Sequence, residues 1–120
     1  MPWNHVSDVK DISAEEFERE VKGSESPAVL EFWVRSCDQC RKFKPVYESL
    51  PEAFGGKVRF LRMNMLKSME NLRLAEGMGV EQTPTTKVYC SGGEVGTMVG
   101  YLPLEEAEKT ITELLWDCES

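Results

Sequence analysis

Read for its alternation of apolar and polar positions, the chain divides into segments of two kinds. Ser13 followed three residues later by Glu16 has the form of a capping box, and Phe17 and Val21 supply apolar positions four apart, so a first helix is predicted over about 13–22. Gly23-Ser24-Glu25-Ser26-Pro27 breaks it. Ala28-Val29-Leu30 and Phe32-Trp33-Val34 then form an apolar run interrupted only by Glu31. That run is too continuous for a half-exposed strand and fits the middle of a parallel or mixed sheet. A helix follows through Phe43, Val46, Tyr47 and Leu50; it contains Pro45 and Pro51, which imply a kink, and ends at Gly55-Gly56. Residues 58–65 alternate as another strand, and Met69 to Met78 reads as a helix closed by Gly77 and Gly79. Thr85 to Cys90, Ser91-Gly92-Gly93 and Glu94 to Val99 form a hairpin pattern, and Leu104, Ala107, Ile111, Leu114 and Leu115 mark an amphipathic last helix. With a short strand near His5 to Val9, the order predicts an α/β fold: a mixed sheet of four to five strands with helices on both faces.

Composition narrows the class without changing this picture. A chain of 120 residues, 41% hydrophobic and 29% charged, is sized for one domain with a real core. Its net charge of −7 is a poor global match to nucleic acid or an anionic membrane surface, so neither is expected as a partner. The charge is unevenly spread: residues 1–26 carry −4, residues 27–90 carry +3 and residues 91–120 carry −6. No run approaches a membrane span, and the start lacks the basic and apolar pattern of a secretory leader, so a soluble, cytoplasmic, reducing location is the expectation.

The four cysteines, at 37, 40, 90 and 118, do not look like a disulfide framework, and the informative pair is the close one. Cys37-Asp38-Gln39-Cys40 follows a buried strand and opens a helix. There the unpaired N–H groups and the positive end of the helix dipole favour a thiolate at Cys37, and one helical turn brings Cys40 within bonding distance. A zinc site would need a second close pair of Cys or His, and His5, the sole histidine, stands in the N-terminal segment, so no metal is expected. Ser/His or Cys/His catalysis lacks a supported base for the same reason.

Two further features lie near this pair. Glu31 interrupts the apolar strand six residues before Cys37, where burial costs several kcal/mol unless the carboxyl is paired or stays protonated. It reads as a proton-transfer group, with an ion pair to Arg62 or Lys87 as the structural alternative. Thr83-Pro84 precedes the strand at 85–90; a cis bond is possible there, and a trans turn is the ordinary expectation. The methionines at 63, 65, 69, 78 and 98 read as core packing.

The run from Glu31 through Trp33, Cys37, Cys40 and Phe43 to Pro45 resembles the active-site region of thioredoxin. Pro84 before a late strand, Gly93-Glu94 in the hairpin and Val99-Gly100 before the last helix also stand where that family has them, so the resemblance covers about residues 8–116. It implies a thioredoxin fold with 1–7 loosely held and 117–120 as a tail. By position, Cys37 is implied to be the attacking thiol and Cys40 the resolving one, together forming the redox-active disulfide, while Glu31 replaces the family's usual buried Asp. Trp33, a cis Pro84 and Gly100 are implied to shape the substrate groove, with Ser36, Asp38, Gln39 and Thr83 also lining it. These last four depart from the usual Trp, Gly, Pro and Ile, so the groove surface and the local charge differ from ordinary thioredoxin. Cys90 and Cys118 are expected to be incidental thiols.

The implied activity is thiol-disulfide exchange, directed as a protein disulfide reductase, without a metal or organic cofactor. Disulfide-containing proteins are the implied substrates, and an upstream enzyme such as a thioredoxin reductase is the implied electron donor. The alternatives are a partner-binding or redox-sensing module without turnover, and a disulfide isomerase or oxidase.

Overall fold

The computed structural model describes residues 8–118, so the expectations for His5 and for a loosely held 1–7 lie outside the described residues. Five strands form one sheet in the order β1-β3-β2-β4-β5: β1 is Val9–Asp11, β2 Ala28–Trp33, β3 Arg59–Asn64, β4 Thr85–Cys90 and β5 Gly93–Val99. Strands β1, β3 and β2 run parallel, while β4 is antiparallel to β2 and to β5. The run around Glu31 is the central strand, and residues 29–32 have no exposed surface. This is why it reads as continuously apolar: it has neighbours on both edges and helices on both faces.

The helices are α1 (Asp38–Ala53), α2 (Met69–Gly77) and α3 (Leu104–Leu114). Phe43, Tyr47 and Leu50 of α1 and Ala107 and Ile111 of α3 pack on the face of Val29, Phe60 and Val88. Ala75 of α2, with Phe17 and Val21, covers the opposite face, built from Leu30, Phe32, Leu61 and Met63. Buried Tyr47 ties the first layer to the sheet, its hydroxyl donating to the Leu61 carbonyl at 2.6 Å. Helix α1 runs through both Pro45 and Pro51.

The segment predicted as one helix over 13–22 is a single 3-10 turn, Ala14–Glu16, followed by a wider π-type turn, Glu18–Lys22. The reciprocal contact does form, with Glu16 accepting the Ser13 N–H at 2.9 Å. The wider turn buries Glu20, whose carboxylate takes Lys10 at 2.8 Å and pairs with Arg59. Those two hydrogen bonds, Lys10 first, outweigh burial and lower the Glu20 pKa to about 2. Of the methionines expected in the core, 63, 65 and 98 are buried, but Met69 opens α2 with its side chain 56% exposed.

Cys90 and Cys118 are joined in a disulfide, with Cα atoms 5.7 Å apart, which corrects their reading as incidental thiols. Antiparallel β4 ends beside the start of β2, and α3 is anchored along β5 where Leu114 fills the space over Gly96. The residues after α3 are thereby delivered to the end of β4, so position 118 is pinned where a tail was expected. Closing a loop of 28 residues' separation removes unfolded-chain entropy. On the chain-entropy model this stabilises the fold by about 3–4 kcal/mol. A Cys90→Ala/Cys118→Ala double variant should lose about that much in urea unfolding, with Cys37–Cys40 kept oxidised in both proteins. Equal midpoints would show that the bridge contributes nothing.

Candidate active site

Trp33 ends β2, and the chain turns outward through Val34 to Ser36 before α1 begins at Asp38. Cys37 occupies the N-cap position: its Sγ accepts the Cys40 N–H at 3.0 Å, satisfying one of the helix's free donors. Cys40, one turn on, is 3% exposed and lies on the buried stripe that continues through Phe43 and Tyr47. The two sulfurs form a disulfide across a Cα separation of 5.2 Å. Half-exposed Cys37 is thus the accessible member of the pair and Cys40 the sheltered one.

The start of β4 supplies the second wall. The Thr83–Pro84 peptide is cis, and the Thr83 carbonyl oxygen lies 3.4 Å from Cys37 Sγ. Gly100, at φ +87°, donates its N–H to the Pro84 carbonyl at 2.7 Å, a left-handed conformation that favours glycine. Gln39 reaches the same loop, its Oε1 accepting Tyr101 N–H at 3.1 Å. The Tyr101 ring in turn lies under Lys42, 4.3 Å from Nζ, and edge-on to Phe43. Tyr101 was not a sequence candidate, because nothing in its spacing shows that three side chains of α1 converge on it.

Asp38 would oppose a thiolate next door, but its exposed carboxylate pairs with Arg41, whose other nitrogen donates to the Arg35 carbonyl at 2.8 Å. The local balance is therefore less negative than the Cys-Asp-Gln-Cys run implies. Ser36 is exposed on the approach to Cys37. Half-buried Trp33 lies beneath the Arg62 guanidinium, 4.4 Å from its ring centre.

Glu31 faces α1 with no exposed surface, and neither carboxyl oxygen has a hydrogen-bond partner. Of the two cations considered for it, Arg62 is the neighbour, with Nε 3.8 Å away. Lys87 pairs with Leu30 in the register, one position off Glu31's own partner Thr86, so it points to the other face and binds Glu94. Burial dominates, Arg62 only partly offsets it, and the Glu31 pKa rises to about 7.

An exchangeable dithiol at a helix N-terminus, one thiol accessible and one sheltered, set against a second wall of backbone, defines a thiol-disulfide oxidoreductase. Comparison with known proteins agrees. The Thioredoxin family model matches residues 8–113. The chain is 32% identical over 108 residues to a thioredoxin of Haemophilus influenzae, covering 90% of this chain and 98% of that one. It is 34% identical to a thioredoxin of Streptomyces clavuligerus, over 79% and 85% of the two chains. It is also 31% identical to thioredoxin M4, chloroplastic, of Arabidopsis thaliana, where the match spans 90% of this chain and 54% of the relative. The chain belongs to the thioredoxin family.

Linkage gives Glu31 a measurable signature. The unfolded chain releases this proton near pH 4.5, and the folded one only near 7. The fold is therefore unpenalised below the lower value, loses stability between the two, and carries the full cost above the higher one. Relative to wild type, Glu31→Gln should gain about 3 kcal/mol of unfolding free energy between pH about 4 and pH about 8. A difference that does not vary with pH would contradict the raised pKa.

Proposed function

We propose that this oxidoreductase runs as a protein disulfide reductase. The observation that carries the reading is the division of labour within the pair: Cys37, half-exposed, with its sulfur on the Cys40 N–H, and Cys40 enclosed by the core. In the reduced protein, the helix N-terminus and that N–H stabilise a Cys37 thiolate. The thiolate attacks one sulfur of a substrate disulfide; a mixed disulfide forms and the other substrate sulfur leaves as a thiolate. Cys40, deprotonated, then attacks Cys37 Sγ and expels the second substrate thiolate. Two electrons pass to the substrate, two substrate thiols form, and Cys37–Cys40 becomes the disulfide.

Glu31 is assigned the proton that Cys40 must lose. A carboxyl of pKa about 7 is half ionised at neutral pH, whereas an ordinary one is too weak a base. Trp33, Thr83, Pro84 and Gly100 are assigned to the groove, with Ser36, Asp38 and Gln39 setting its surface. Disulfide-bearing proteins are the substrates in this reading, and a dithiol enzyme of the thioredoxin reductase type restores the pair. Among the described residues no helix is long and apolar enough to cross a membrane. A cytoplasmic site of action fits the reductase direction, but the second bridge removes the support that four free thiols would have lent it.

Cys37→Ser should abolish reduction of insulin's disulfides, and Cys40→Ser should accumulate mixed disulfides with several substrate proteins at Cys37. Turnover by Cys37→Ser would sink the mechanism, and capture of one stoichiometric partner would favour a binding module. In single-turnover resolution of a mixed disulfide, the wild-type inflection near pH about 7 should be absent in Glu31→Gln.

A further inference from the structure

The two disulfides stand at opposite ends of the sheet, and each adjoins a hollow. A cleft of about 670 Å³ borders Thr83, whose carbonyl faces Cys37 Sγ, and one of about 360 Å³, walled by Phe54, Leu115 and Trp116, is lined by Cys118. Cys37 comes after the last residue of β2, whereas Cys90 ends antiparallel β4 beside the first, next to the Tyr89–Ala28 pair. The six residues of β2, spanning roughly 20 Å, separate them, so neither disulfide meets the other within one molecule.

The second pair repeats the division seen in the first. Cys90 is fixed in the ladder as the partner of Gly93, while Cys118 belongs to no helix or strand and follows α3 by one turn. Both are half-exposed, unlike Cys40. The electrostatics are opposite. Cys37 stands at the positive end of α1, which stabilises its thiolate and with it the reduced form of that pair. Cys118 lies just past the negative end of α3, flanked by exposed Glu113 and Asp117, and Cys90 ends a strand, an element with little net dipole. Lys57 in the wall of the Cys118 hollow is offset by Glu25 in the same wall. Relative to Cys37 and Cys40, the Cys90/Cys118 couple is therefore held on the disulfide side.

We propose that the Cys90–Cys118 bridge is closed in trans, the Cys37–Cys40 disulfide of a second copy of the chain oxidising the Cys90/Cys118 dithiol. The inference rests on Cys37 and Cys40 being the exchanging pair and adds the chain's own C-terminal dithiol to their partners. The Cys118 thiolate attacks Cys37 Sγ of the second copy; the Cys37–Cys40 bond breaks, and Cys40 leaves with the electron pair and takes up a proton. Cys90, deprotonated, then attacks Cys118 Sγ in the mixed disulfide and expels Cys37 as a thiolate, a good leaving group because the start of α1 stabilises it. One copy gains a bridge, the other is left with two thiols, and two electrons have passed between them. Exposed Arg35 beside Cys37 complements Glu113 and Asp117 beside Cys118, which favours this encounter between copies.

The test gives each role to one variant. Cys90→Ser/Cys118→Ser, with Cys37–Cys40 oxidised, is mixed under nitrogen with Cys37→Ser/Cys40→Ser whose bridge has been reduced, and thiols are counted on each by alkylation and mass spectrometry. Two thiols should vanish from the second protein for every two that appear on the first, at a rate proportional to both concentrations. A reverse mixture starts from the folded, bridged protein and the dithiol form of the first variant, and should reach the same end point, with the closed bridge favoured about tenfold or more. An end point that favours the open bridge overturns the proposal, as does closure at a rate independent of the first variant. Hydroxyethyl disulfide separates the two levels. If the dithiol form of the first variant reduces it but no thiols pass between the proteins in either mixture, only closure in trans falls; if it does not, the exchanging pair falls as well.

Discussion

Because β2 is hydrogen-bonded along both edges and covered on both faces, the chain leaving its C-terminal end can go only outward, and it does so into a helix N-terminus. That constraint positions everything the chemistry uses. The turn places Cys37 where α1's free N–H groups converge, and the helix returns Cys40 to the core one turn later. Strand β4, antiparallel to β2, begins where β2 ends, so Thr83 and Pro84 arrive beside the sulfur without any local sequence relation to it. Strand β3, parallel to β2 on the other side, ends at the same level and gives Met65 to the neighbouring cleft.

The same burial sets an energetic conflict inside the strand. A carboxyl with no hydrogen-bond partner and one Arg at 3.8 Å costs the fold about 3 kcal/mol once ionised, against a total stability of about 5–15 kcal/mol for ordinary domains. An apolar residue of similar size would remove that cost, and the proton transfer proposed for Glu31 is what would set a use against it. The opposite end of the sheet carries the compensation: the Cys90–Cys118 bridge contributes a term of comparable size, remote from the reacting sulfurs. Stability is thus added at a bridge remote from the reacting sulfurs and given up at a carboxyl buried beneath α1.

What could be read from the residues was what is encoded at short range. The spacing of Cys37 and Cys40, the unbroken apolar run around Glu31 and the hairpin at Ser91-Gly92 each place a strong local preference where the fold needs it. The failures share a cause as well. Cys90 and Cys118 are 28 residues apart, and only the antiparallel return of β4 and the anchoring of α3 on β5 bring them together. The first helical segment carries a correct cap but widens to turn Glu20 toward Lys10 and Arg59, partners that lie on β1 and β3. Gln39 looked like a plain departure from the family's proline, and its bridge to Tyr101 exists only because the β5 end folds back over α1.

Charge needs the same separation of scales. Summed over the chain, −7 describes an acidic protein, yet screening confines each charge to about 8 Å at physiological salt, so a substrate meets the site's own groups rather than the total. At the sulfur those groups are close to balanced, because Asp38 is paired with Arg41 while Arg35 stands exposed nearby. A short distance away, toward β3, the balance tips to the unpaired Glu76 and Glu81. In the proposed reaction the Cys37 thiolate is therefore stabilised by the neutral dipoles at the start of α1, and the chain's net charge of −7 has little part in it.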